Sequence, residues 1–125
     1  SDYTATYVVR SSHGAGSGVQ VIVRYDTTNG YFYQLYVSIG AGSFFRLYRN
    51  DGSTTLLASA SPTLALNTDH TVVVTCSGTT ITATINGGDQ LQVTDATMNQ
   101  TETHIGARGD TGGNVCLIDS ISVPL

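Results

Sequence analysis

Apolar and polar residues alternate with a period of two along most of the chain, and no stretch sustains helical spacing. Tyr3, Ala5, Tyr7 and Val9 alternate with Thr4, Thr6, Val8 and Arg10, which predicts a first strand. Val19, Val21, Val23 and Tyr25 alternate against Gln20, Ile22 and Arg24 in a second. Tyr31 to Val37 and Phe44 to Arg49 give the third and fourth, and a short apolar strand runs from Thr55 to Ala58. Val72, Val74 and Cys76 line one face of the next strand, and Ile81, Ala83 and Ile85 line the one after. Leu91 and Val93 mark a short strand, and His104 to Ala107 and Val115 to Val123 are the last two. Turn signals separate them: the Gly-rich Ser11 to Gly18, Asn29-Gly30, Asn50-Asp51-Gly52, Ser77-Gly78 and Asn86-Gly87-Gly88. Asn-Gly tolerates the positive φ that a tight hairpin requires, and Pro62 ends its run because it lacks an N–H. About nine or ten strands with turns at this spacing predict an all-β sandwich or barrel. Residues 1–125 are read as a single domain, long enough to bury its own core.

Composition changes the picture in three ways. Charged residues make up only 11% of the chain, none is a lysine, and the net charge is −4. A nucleic-acid partner would ask for a basic stripe, and an anionic membrane surface for the same, so neither is expected. No apolar run approaches the ~18 residues of a membrane span, so membrane insertion is not expected either. No charged-then-apolar leader opens the chain, which is expected to be a mature or excised piece with any targeting segment outside it. Abundant Thr, Ser and Gly without lysine suit an extracellular or virion-surface β-protein. Two cysteines, Cys76 and Cys116, allow one disulfide or none; both share parity with core positions. Finally, all ten aromatic residues lie between Tyr3 and Tyr48, so an aromatic binding surface belongs to the early strands.

The order of several segments resembles the concanavalin A-like jelly rolls, laminin-G-like and carbohydrate-binding modules of bacterial and phage proteins in particular. The pieces are Ser1-Asp2-Tyr3, Gly18 to Tyr25, Asn29 to Tyr33, Phe45-Arg46-Leu47-Tyr48 before Asn50-Asp51-Gly52, Leu56-Leu57-Ala58, Thr71 to Val74, Ile81 to Gly87, and Ile118 to Val123. The resemblance implies a two-sheet antiparallel β-sandwich of the jelly-roll type, often attached to enzymes, adhesins or tail proteins and often sugar-binding. Such modules usually carry about two further strands before the Asp-Tyr strand. This chain is therefore expected to lack the family's opening strands and to leave an unpaired edge that could associate. The resemblance also implies a structural calcium near Asp119. Calcium takes about six to eight oxygens, so Asp2, Asp95 or backbone carbonyls would have to join it.

Strand parity supplies the candidate site. If Val19, Val21, Val23, Leu35, Val37, Phe45 and Leu47 point inward, the same strands turn Gln20, Ile22, Arg24, Phe32, Gln34, Tyr36, Phe44, Arg46 and Tyr48 outward. Sugars present apolar C–H faces rimmed by hydroxyls, which suit flat rings for stacking and planar amide or guanidinium groups for paired hydrogen bonds. Stacking is thus expected from Phe32, Tyr36, Phe44 and Tyr48, and hydrogen bonding from Gln20, Arg24, Gln34 and Arg46. The bland alternative is a face covered by a loop or a neighbouring chain, its aromatics serving cross-strand pairing. Catalysis is not expected. A glycosidase needs two flanking carboxylates, and Glu102 is the lone glutamate. His13, His70 and His104 lack metal-ligand spacing, and no cofactor other than that calcium is expected. Arg108-Gly109-Asp110 spells an integrin-binding tripeptide but also reads as ordinary turn chemistry, and Asn99-Gln100-Thr101 is a glycosylation acceptor pattern. Two functions follow: a non-catalytic module binding a glycan or cell-surface polysaccharide, or a structural subunit of a fibre, appendage or virion that joins copies of itself.

Overall fold

The computed structural model describes residues 2–12, 18–96, 104–109 and 114–122, with the backbone alone for 108–109 and 114–119. Ten strands form: β1 (Tyr3–Ser11), β2 (Gly18–Tyr25), β3 (Phe32–Ser38), β4 (Phe44–Asn50), β5 (Thr54–Ala60), β6 (His70–Ser77), β7 (Thr80–Ile85), β8 (Gln90–Thr94), β9 (His104–Gly109) and β10 (Asn114–Ser122). They divide into two five-stranded sheets ordered β10-β1-β6-β7-β8 and β5-β4-β3-β2-β9. Every neighbouring pair is antiparallel. Of the sandwich and barrel that the alternation allows, this is the sandwich, in the jelly-roll form that the resemblance implies.

The core lies between the sheets, and its buried apolar residues come from one parity of β1 to β4, β6 and β7. Tyr3, Ala5, Tyr7 and Val9 of β1 meet Val19, Val21, Val23, Leu35, Val37, Phe45 and Leu47 of the opposing sheet, all buried. Val72, Val74, Cys76, Ile81, Ala83 and Ile85 complete the layer. Buried tyrosines place their hydroxyls where an oxygen accepts: Tyr7 donates to the Ile22 carbonyl at 3.4 Å and Tyr33 to the Asp95 carbonyl at 3.4 Å. Burial thus costs these rings little polar penalty.

One expectation is corrected here and one open alternative is decided. The first concerns the edge: β1 is flanked by β10 on one side and β6 on the other, so the Asp-Tyr strand is interior and leaves no open edge. The second concerns the cysteines. Cys76 faces Tyr3 and Cys116 faces Val9, at opposite ends of β1 and on its two different neighbours. That separates them by roughly 20 Å along the strand, whereas a disulfide needs Cα atoms within about 7 Å. Cys76 is a free, buried thiol.

The β2–β3 turn shows how sequence sets the loop chemistry. The Asp26 carboxylate accepts from the backbone N–H groups of Thr28 at 2.8 Å and Asn29 at 3.2 Å, and from the Asn29 amide at 2.8 Å. Gly30, at φ 75°, closes the turn onto the Asp26 carbonyl. The Asn29 side chain, with the Thr28 and Asn29 amides, holds the Asp26 carboxyl below its ordinary 3.8. A depressed folded pKa contributes stability above the unfolded value, and that contribution fades as pH falls through the folded one. Asp26→Ala is therefore expected to melt lower than the parent at pH 7, with the gap narrowing below about pH 3.8. Thermal unfolding followed by circular dichroism from pH 7 down to pH 2 would show it. An equal gap at both ends would reject the account.

Candidate functional site

Register turns the outward residues of the second sheet into a grid. Tyr36 faces Arg46 across β3–β4 and Gln20 across β2–β3; Gln34 faces Tyr48 and Ile22; Phe32 faces Asn50. Phe32, Gln34, Tyr36, Phe44, Arg46 and Tyr48 are all half-buried and none belongs to the core, as parity predicts. Tyr36 and Phe32 are four residues apart, so the grid spans roughly 13 Å along β3.

At one end three planar groups stack. The Tyr36 and Phe44 rings lie 5.4 Å apart and 21° from parallel. The Arg46 guanidinium carbon sits 3.9 Å from the centre of the Phe44 ring. Tyr36 is seated by Gly18, the first residue of β2, where a Cβ would come within 2.7 Å of the ring. A glycine here lets the ring lie over the backbone. At the other end Tyr25 stacks on Phe32 at 5.9 Å and 27°. Leu56, on the adjoining β5 and opposite Tyr48, is 52% exposed and extends the apolar surface.

Two of the eight expected site residues do not belong to the open face. Arg24 is 1% exposed and turned inward. The cause is a bulge: between Ile22–Gly106 and Tyr25–His104, β2 advances three residues while β9 advances two. Arg24 takes up the irregularity at φ 52°. Its guanidinium carbon lies 5.8 Å from the centre of the Tyr3 ring, and Nη2 donates to the Gly78 carbonyl at 3.2 Å. Beside it the Cys76 thiol and the Tyr3 hydroxyl are both pushed up, chiefly by burial. The same bulge carries Tyr25 from its expected inward position to the outer face, where sequence parity missed it. Gln20 keeps outward parity but is 7% exposed, with Tyr36 opposite it on β3.

The remaining candidates are resolved individually. Asp2 accepts from the Gly78 N–H at 2.8 Å and from the Ser77 hydroxyl at 3.2 Å. Asp95 pairs with Arg49 at 2.6 Å. The Asp119 side chain lies outside the described residues, and among those residues no three metal-ligating side chains converge. His70 is used structurally; Asn86 donates to its Nδ1 at 2.9 Å, which leaves Nε2 to donate to the Ala65 carbonyl at 2.9 Å. His13, Asn99 to Glu102 and Asp110 also lie outside the described residues.

These features define a jelly-roll sandwich with a half-open aromatic sheet face. Solved structures share that fold. A carbohydrate-binding module (CBM66) from Bacillus subtilis superposes with a TM-score of 0.77 at 13% identity, over 98% of this chain and 76% of that one. Sheep galectin-11 gives 0.70 at 12% identity, over 97% and 88% of the two chains. A tetrameric galectin from the ball sponge Cinachyrella gives 0.66 at 13% identity, over 97% and 89%. No protein-family model matches the chain, and no curated protein sequence matches it. At these identities the likeness is one of fold, and the fold is the jelly-roll sandwich that the resemblance implies.

Proposed function

We propose that this chain is a non-catalytic carbohydrate-binding module, working outside the cell or on a virion surface, that holds a glycan on the β2–β3–β4 face. One observation carries the reading. The Tyr36–Phe44–Arg46 stack stands beside Gln34 and Tyr48, and among the described residues no hydrogen bond occupies Gln34, the Arg46 guanidinium or the Tyr48 hydroxyl. Rings to take a C–H face, with planar donors and acceptors left open at their edges, suit a sugar. The fold is shared with proteins named as a carbohydrate-binding module and as galectins, which supports the same reading. No carboxylate stands at the outward positions of β2 to β4, so this face does not offer the carboxylate pair of glycoside hydrolysis.

The test is a glycan array probed with the parent and with a Tyr36→Ala, Arg46→Ala double variant. Binding should be lost in the variant while its melting temperature stays within about 3 °C of the parent. Unaltered binding would reject the site. Light scattering separates the rival reading: a stable oligomer that binds no glycan would favour a subunit joining copies of itself through this face.

A further inference from the structure

We propose that the Tyr36–Phe44–Arg46 end of the face receives the acidic group, a carboxylate or sulfate, of an anionic glycan. This rests on the sugar-binding reading above and narrows its ligand class.

Arginine usage is the first ground. Four of the arginines have described side chains, and three of them give donors to protein oxygens. Arg10 pairs with Asp69 at 3.4 Å, Arg24 donates to Gly78, and Arg49 bridges Asp51 at 3.1 Å and Asp95 at 2.6 Å. Arg46 is the exception: among the described residues no carboxylate or carbonyl accepts from it. Phe44 lies against its guanidinium, the central carbon 3.9 Å from the ring centre, so the ring covers one side of the group while no protein acceptor among the described residues takes its N–H groups. The guanidinium edge is a fork matched to two coplanar oxygens of a carboxylate or sulfate.

Charge distribution is the second ground. Although the chain carries net −4, its described carboxylates stay off the outward positions of β2 to β4. The nearest two in the chain, Asp26 and Asp51, stand in turns at the opposite, Phe32–Asn50 end, the one held by Asn29 and Thr28 and the other by Arg49. Among the described residues, charge placement and fork thus agree on which end of the face an anion takes.

Desolvation decides between a neutral and a charged ligand. Arg46 is already half-buried between its neighbours. A neutral sugar laid over it removes more water from an uncompensated cation, whereas an acidic group replaces that water with an opposite charge. Matched ligands that differ only in the acidic group should therefore differ in affinity.

The experiment uses calorimetry with two such pairs: oligogalacturonate against its methyl ester, and dextran sulfate against dextran. The parent should bind the charged member of at least one pair about tenfold or more tightly, with the advantage shrinking as sodium chloride is added. The pair that responds distinguishes carboxylate from sulfate. Arg46→Gln should bring the charged-to-neutral ratio to about one while melting like the parent. Equal binding of charged and neutral members, or a preference that persists in Arg46→Gln, overturns this inference and leaves the sugar reading standing. Failure of every glycan on the array and of both pairs overturns the sugar reading, and this inference with it.

Discussion

Replacing Gly18 with alanine is expected to lower the unfolding free energy by about 2–3 kcal/mol and to weaken glycan binding together. The added Cβ would stand 2.5 Å from the Val37 carbonyl oxygen and 2.7 Å from Cε1 of Tyr36. A side-chain end could swing aside, but the carbonyl belongs to the β3 backbone, which is held by β2 and β4. Strain and a displaced Tyr36 ring must therefore appear together, and the displaced ring disturbs its stack with Phe44. Gly106→Ala is the control on the same sheet. There the nearest atom to a new Cβ is 3.8 Å away, an ordinary contact, and the expected change is within about 0.5 kcal/mol. Urea unfolding and glycan titration on both variants decide the matter. If Gly18→Ala proves as mild as Gly106→Ala, Gly18 does not seat the ring.

Arg24→Met is expected to act in the opposite direction, raising stability by about 1–2 kcal/mol. Arg24 is 1% exposed, and among the described residues its Nε and Nη1 groups find no acceptor. Against that stand one hydrogen bond to the Gly78 carbonyl, the Tyr3 ring face, the Cys76 sulfur and the nearby Asp2 carboxylate, which together compensate the guanidinium only in part. Methionine keeps much of the length and packing and removes the buried charge, and at φ 52° it is no more strained than arginine. Urea unfolding at neutral pH gives the sign. A loss of more than about 1 kcal/mol would mean that the Gly78 and Tyr3 contacts outweigh the desolvation of the guanidinium.

Most of the sandwich is legible in the alternation of residue types, because each strand's inward set is apolar and β-branched or aromatic. Val19, Leu35, Phe45 and Val74 are assigned by period two alone, and all are buried. The same rule finds Phe32, Gln34, Tyr36, Phe44, Arg46 and Tyr48. It fails at Arg24 and Tyr25 for a physical reason: a bulge shifts parity by one residue, and nothing in Val23-Arg24-Tyr25 marks it. No glycine or proline sits there, and a non-glycine residue takes the left-handed conformation instead. Gln20 fails differently. Its direction is as read, but its burial depends on which side chains flank it across the sheet, and that is a matter of register. The pairing of Tyr36 with Arg46 is likewise set by register, which the turn signals between strands do not specify on their own. The Tyr36 seat over Gly18 is hidden in sequence because the Gly-rich stretch ending at Gly18 reads simply as a flexible loop.

The pairing of β1 with β10 and of β2 with β9 has a consequence for how the chain reaches its native state. Thr4 meets Ser122 and Val19 meets Gly109, so each sheet draws one of its pairs from opposite ends of the polypeptide. Contacts this distant in sequence demand loop closure before they reward it, which places such a topology among slow folders. A nascent chain that stops short of His104 lacks both β9 and β10, leaving the ladders of β1 and β2 unfilled on one side. Those two rows of unsatisfied N–H and C=O groups make the unfinished chain, more than the finished one, the species prone to aggregate during synthesis.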